Sequence, residues 1–127
     1  MPLVRISLAP GRGPDDRRAI ADGVHRALME TAGVPAADRF QVVEEVPGPD
    51  LHFSPEYLGI AHTPGIVFVQ IFLNVGRSVE VKKALYARMA ENLAASPGLR
   101  KEDLVINLVE VAKENWSFGN GLMGYPP

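Results

Sequence analysis

The chain has 127 residues, 46% hydrophobic and 22% charged, values that fit one globular domain and exclude global disorder. The 13 Lys+Arg stand against 15 Asp+Glu for a net charge of −2, with no basic patch, which argues against nucleic acid as a partner. There is no cysteine, which excludes disulfides, thiolate nucleophiles and Cys-ligated zinc.

At the N-terminus, Val4, Ile6 and Leu8 alternate with Arg5 and Ser7, the period of a strand with one polar face. Pro10 to Pro14 is a loop, and from about Asp15 the apolar positions Ile20, Val24, Ala27 and Leu28 take helical spacing until Gly33 and Pro35 end it. Phe40, Val42 and Val43 read as a second strand. Pro47 to Pro64 reads as a long surface loop, with a short strand or turn near Leu51 to Leu58. Val67 to Leu73 is a nearly continuous apolar strand, expected to be central and buried. Ser78 can cap the next helix, whose buried stripe is Val81, Leu85, Met89 and Leu93, and Pro97-Gly98 stops it. Leu104 to Val111 alternates as a last strand, and Ala112 to Pro127 reads as a hairpin or arm carrying the only tryptophan. The longest apolar run, Gly65 to Leu73, is too short to span a bilayer, and no cationic segment followed by an apolar one marks the N-terminus. A cytoplasmic protein with no membrane partner is expected.

The sequence repeats once at an offset of 65 residues, over approximately 2–46 and 67–111, within a single domain spanning 1–127. Val4, Ile6 and Leu8 fall on Val69, Ile71 and Leu73, Gly11-Arg12 on Gly76-Arg77, Gly33 on Gly98, Asp38 on Asp103, and Glu45-Val46 on Glu110-Val111. The expected fold is α+β: two tandem β-α-β units forming a four-stranded mixed sheet, two helices on one face, and a C-terminal hairpin arm. Right-handed crossovers make the strands within each unit parallel, and the two units pair antiparallel about a pseudo-two-fold.

That geometry brings Pro2, Asp38 and Arg77 to one edge of the sheet. Removal of Met1 would leave Pro2 as a secondary amine able to take or give a proton. Arg77 stands between a strand and a helix N-terminus, where a guanidinium fork suits a carboxylate, although a surface arginine or structural pair fits as well. Asp38 is placed to orient water or act on the amine, or simply to bond turn amides as its counterpart Asp103 would. Trp116 and Phe118 suit the apolar wall of a small-molecule pocket or a subunit interface. His25, His52 and His62 have no metal-ligand spacing, and His25 fits a helix surface.

Pro2-Leu3-Val4, the segment Gly33-Val34-Pro35-Ala36-Ala37-Asp38-Arg39-Phe40, Gly76-Arg77-Ser78 and Asn115-Trp116-Ser117-Phe118-Gly119 together resemble the tautomerase superfamily, and within it the malonate semialdehyde decarboxylase group. The resemblance covers essentially the whole chain. It implies a homotrimer, no metal or organic cofactor, and a small carboxylate substrate. It implies Pro2 as catalytic acid or base, Asp38 as its partner, Arg77 as carboxylate binder, and Trp116 and Phe118 as pocket wall. One departure stands out. The decarboxylase has a second arginine two residues before the one matching Arg77, and here that position is Val75.

Three readings follow. The first is an isomerase carrying out enol–keto tautomerisation of a small 2-oxo or 2-hydroxyalkenoate acid. The second is a lyase or hydratase acting on a small 3-oxo acid like malonate semialdehyde. The third is a non-catalytic trimeric binding protein.

Overall fold

A computed structural model describes residues 2–125. The elements in chain order are β1 (Leu3–Leu8), α1 (Pro14–Ala32), β2 (Phe40–Glu45), β3 (Glu56–Tyr57), β4 (Ile60–Ala61), β5 (Val67–Asn74), α2 (Val79–Ala95) and β6 (Leu104–Val111). The main sheet has the order β2-β1-β5-β6, with β1 parallel to β2, β5 parallel to β6, and β1 antiparallel to β5. This is the expected arrangement of two β-α-β units.

Local chemistry sets the helix ends. Pro14 opens α1, Asp15 and Asp16 occupy its first turn, and Gly33 closes it at φ 67°, a left-handed position that glycine adopts without a Cβ penalty. Ser78 caps α2, its hydroxyl accepting from the Val81 amide at 3.2 Å. The helices cross at Gly23, where a Cβ would come within 2.7 Å of the Leu93 side chain. Both pack on one face of the sheet, over Val4, Ile6 and Leu8 of β1 and Val67, Val69, Ile71 and Leu73 of β5.

The strand period of two then puts Leu3, Arg5, Ser7, Phe68, Gln70 and Phe72 on the face away from the helices. Phe40 and Val42 join them and are exposed, at 43% and 46%. A polar belt crosses the middle of this apolar face: Arg5 and Ser7 bond Glu44, and Gln70 bonds Asn107. The Ser7 hydroxyl and the Arg5 guanidinium hold the Glu44 carboxyl below its ordinary range.

The units are registered alike. Leu3 pairs with Phe40, and at the same offset Phe68 pairs with Val105. Arg5 and Gln70, which are equivalent, pair with each other across the central seam. The correspondence continues into the loops, where the single 3-10 turns at Gly48–Asp50 and Lys113–Asn115 also match. By that offset Leu51 answers Trp116 and Phe53 answers Phe118.

Two local expectations change and one is extended. The short strand expected near Leu51 to Leu58 is β3, which pairs with β4 as a hairpin. Its two-residue turn is Leu58-Gly59, both at positive φ, the backbone that matches strand twist. The C-terminal arm reverses direction through the Gly124 amide donating to the Trp116 carbonyl at 2.9 Å, and its described residues form no strand. His25 is buried rather than on a helix surface, because the 34–37 loop lies over it and its Nε2–H donates to the Ala36 carbonyl at 2.9 Å. Among the described residues no helix is long and apolar enough to cross a membrane.

Candidate active site

Pro2 immediately precedes β1 and is buried. It is one residue before Leu3, which pairs with Phe40 on one side and Phe72 on the other. Asp38, two residues before Phe40, and Arg77, three residues past the end of β5, therefore share its sheet edge. While Met1 is attached, the Pro2 nitrogen is an amide and not a base; Met1 itself lies outside the described residues.

Arg77 is held by backbone. Its Nε and Nη2 donate to the Ala32 carbonyl at 3.2 and 3.1 Å, and its Nη1 donates to the Asn74 carbonyl at 3.4 Å. Ala32 ends α1, a helix with no basic residue in its last turn, so Arg77 also answers the orphan carbonyls and the negative end of that helix. A guanidinium has five N–H donors, so Nη1 and Nη2 each keep one, enough for a bidentate carboxylate. Glu110 lies close by. A hydrogen bond from Lys82 at 2.9 Å holds its carboxyl below the ordinary range against the cost of burial, and the Lys82 charge, the Gly76 amide and the Arg77 charge add to the effect.

Asn74 links this cation to the arm. Its side-chain oxygen accepts from the Trp116 indole N–H at 2.6 Å while its carbonyl accepts from Arg77. Trp116 stacks on Phe118 at 5.4 Å, Phe118 stacks on Phe40 at 5.9 Å, and Tyr125 closes the cluster edge-on at 5.8 Å. A cavity of about 280 Å³ opens beside Trp116, between Leu3, Arg5, Phe72 and Val111; Pro2, Asp38 and Arg77 do not line it. Val75 is exposed and its amide bonds the Val111 carbonyl.

Sequence reasoning missed Asn74, Phe40 and Tyr125 as parts of this cluster. The position of Phe40 beside Leu3 in the register was the only available signal. We expect Asn74→Leu to loosen Trp116, losing about 1 kcal/mol of hydrogen bonding. Its tryptophan emission should shift to the red and KM should rise about fivefold, with kcat little changed.

Asp38 and Asp103 hold equivalent places and differ in their partners. Asp103 is 2% exposed and accepts from the Thr63 amide at 2.8 Å, the Thr63 hydroxyl and Arg100 Nη1 at 3.1 Å. Arg12, the counterpart of Arg77, donates to the Gly65 carbonyl at 3.3 Å. At the opposite edge of the sheet the acid and the cation thus anchor the chain entering β5. Among the described residues no hydrogen bond engages the Asp38 carboxylate.

Burial works to raise the Asp103 pKa, but the Thr63 hydroxyl, the Thr63 amide and Arg100 outweigh it and leave it below 3.8. A carboxyl whose folded pKa is depressed stabilises the fold above its unfolded pKa and loses that contribution as pH falls through the folded one. Asp103→Asn should therefore cost about 3 kcal/mol near neutral pH, the scale of a broken buried charged pair. The loss should shrink below about pH 4. Denaturant melts at both pH values measure it.

Two family models, each described as tautomerase enzyme, match residues 38–119 and 2–60. The chain belongs to the tautomerase superfamily. Within it, the chain falls in the malonate semialdehyde decarboxylase-like group. It is 35% identical to the probable tautomerase YusQ of Bacillus subtilis (strain 168), covering 95% of each chain, and 32% identical to the probable tautomerase YrdN of the same organism, covering 95% of this chain and 93% of that one. A crystal structure of FG41 malonate semialdehyde decarboxylase inhibited by 3-bromopropiolate superposes with a TM-score of 0.91 at 38% identity, covering 97% of this chain and 93% of that one. A fused 4-OT symmetric trimer superposes at 0.78 with 26% identity, covering 95% and 94%. The tautomerase family members are enzymes, and this chain shares that role.

Proposed function

We propose that this tautomerase, once Met1 is removed, uses the Pro2 amine for enol–keto tautomerisation of a small 2-hydroxyalkenoate or 2-oxo acid. Arg77 binds the substrate carboxylate through its two remaining N–H groups. The neutral amine takes the enol hydroxyl proton, the C2–O bond becomes a carbonyl, the C2=C3 electron pair moves to C3, and the protonated amine returns the proton there. Asp38, at the same sheet edge, orients the amine or the substrate hydroxyl. Trp116 and Phe118 exclude water. The observation that carries this reading is the Arg77 clasp: two backbone carbonyls fix the guanidinium at the sheet edge that also holds Pro2 and Asp38, and Nη1 and Nη2 keep one N–H each for a carboxylate.

A second reading is decarboxylation or hydration of a 3-oxo acid, with a protonated Pro2 as acid. The 38% identity to malonate semialdehyde decarboxylase favours it. Val75 weighs against it, because that position supplies no second cation. The exposed apolar sheet face and the fused 4-OT trimer support a homotrimer.

The test is ketonisation of phenylenolpyruvate by protein whose intact mass begins at Pro2, beside protein that keeps Met1. Turnover only in the processed form supports the amine. No turnover there, together with carbon dioxide release from malonate semialdehyde, replaces tautomerisation with the second reading.

A further inference from the structure

Asp38 and Asp103 enter their strands from the same kind of turn. The Asp38 amide donates to the Pro35 carbonyl at 3.0 Å, and the Asp103 amide donates to the Arg100 carbonyl at 3.0 Å. What pins each turn differs. Asp103 pins its own through its carboxylate, which Thr63 and Arg100 hold. Asp38 is half-buried, and among the described residues no hydrogen bond engages its carboxylate. Its turn is fixed from outside, by helix α1.

That helix grips both flanks of the acid. On the upstream side, the His25 Nε2 meets the Ala36 carbonyl at 2.9 Å. A carbonyl oxygen only accepts, so Nε2 carries the proton. His25 is 7% exposed, and a polar ring so buried needs that bond to offset its lost hydration. On the downstream side, Arg39 donates from Nη2 to Asp22 at 2.6 Å and from Nε to Gln41 at 2.8 Å, and Gln41 Nε2 donates to the Ala21 carbonyl at 2.8 Å. Ala21 and Asp22 lie four and three residues before His25, so all three share one side of the helix. The 65-residue offset finds no copy of this device in the other unit. Ala87, Ala90, Leu104 and Ile106 stand where Asp22, His25, Arg39 and Gln41 do. The grip therefore accompanies the acid that does not anchor itself. Of its parts, the Asp22–Arg39 pair is exposed at 47% and 39% and open to screening by salt, whereas the His25 bond is buried.

We propose that His25 is a positioning residue for Asp38: its ring N–H holds the Ala36 carbonyl, two residues upstream, and so fixes where the turn presents the acid at the Pro2 edge. The inference rests on the role given above to Asp38. His25 acts through that residue and not on the substrate.

The test is a double-mutant cycle in protein whose intact mass begins at Pro2. It is run on phenylenolpyruvate ketonisation, or on malonate semialdehyde decarboxylation where that is the activity found. His25→Met keeps the bulk and removes the donor. We expect kcat to fall about tenfold with KM within about twofold, the pattern of a displaced catalytic group beside an intact carboxylate anchor. His25→Gln, whose amide reaches about as far as Nε2, should restore most of kcat. His25→Asn, one bond shorter, should not, and this pair decides the question if His25→Met fails to fold. In an Asp38→Asn background the loss from His25→Met or His25→Asn should vanish. Wild-type kcat in the donorless variants, or the same loss with and without Asp38, overturns the proposal and makes His25 a structural residue of the loop. Wild-type kcat in Asp38→Asn alone, or neither activity in the processed protein, overturns it through the reading on which it rests. The Asp38 single variant thus separates that failure from a failure of His25.

Discussion

Pro2→Ala should lower kcat/KM for enol ketonisation by about 10²–10⁴, the range for losing a positioned acid–base group. The substitution keeps a terminal amine once Met1 is removed but removes the ring that fixes where the nitrogen points. Protein retaining Met1 makes the stricter comparison, because its nitrogen is an amide and has no proton to exchange near neutrality. The two forms should differ in kind: a reduced rate with a displaced pH limb for Pro2→Ala, and no proton-transfer limb for the unprocessed chain. An unperturbed terminal amine titrates at roughly 7.7–8.0. If Pro2 acts as base, kcat/KM rises with pH through a single limb belonging to the free amine; if it acts as acid, the limb falls. A Pro2→Ala enzyme with wild-type kinetics removes the amine from the mechanism.

Arg77→Ala should act twice. Losing charge-assisted hydrogen bonds to the substrate carboxylate, worth about 1.5–3 kcal/mol, raises KM between about tenfold and a hundredfold. Losing the Ala32 contact uncaps α1 and should lower the melting temperature by a few degrees, for about 1 kcal/mol. Arg77→Lys separates the two effects. A single ammonium keeps the charge but cannot span Ala32 and a bidentate carboxylate together, so stability should recover more than KM. If KM stays constant while stability falls, Arg77 is a structural clamp, as Arg12 is on Gly65.

Most of the fold was legible because periodicity and punctuation agreed. Alternation marked β1, Pro14 and Gly33 bracketed α1, and the continuous apolar run at β5 announced a central strand. The 65-residue repeat together with the crossover rule then implied the sheet order. What escaped was decided by packing. His25 lies under a loop whose path no local pattern encodes. The hairpin turn uses Leu58, a residue that carries no turn signal, at φ 51°. Beyond the strands the units stay superposable while their residues diverge, so the match of Leu51 to Trp116 and of Phe53 to Phe118 is invisible in sequence. The same limit applied at the candidate site. Asp38 and Asp103 are identical letters, and only the hydrogen bonds of Thr63 separate an anchor from an unengaged acid. Asn74 looked like a strand end until Trp116 and Arg77 were found on its two oxygens.

The antiparallel seam between β1 and β5 carries an evolutionary consequence. Pro2 and Asp38 descend from one side of it, and Arg77 and Trp116 from the other. Neither half can drift alone at that edge without cost to the other, so the two half-sequences are bound to a shared history there. At the opposite edge the two halves carry no such obligation. There Val67, Leu51 and Val105 stand where the Pro2 edge keeps an imino acid, an indole and a phenyl ring. The 65-residue correspondence thus leaves one end of the sheet under constraint and the other open to invention.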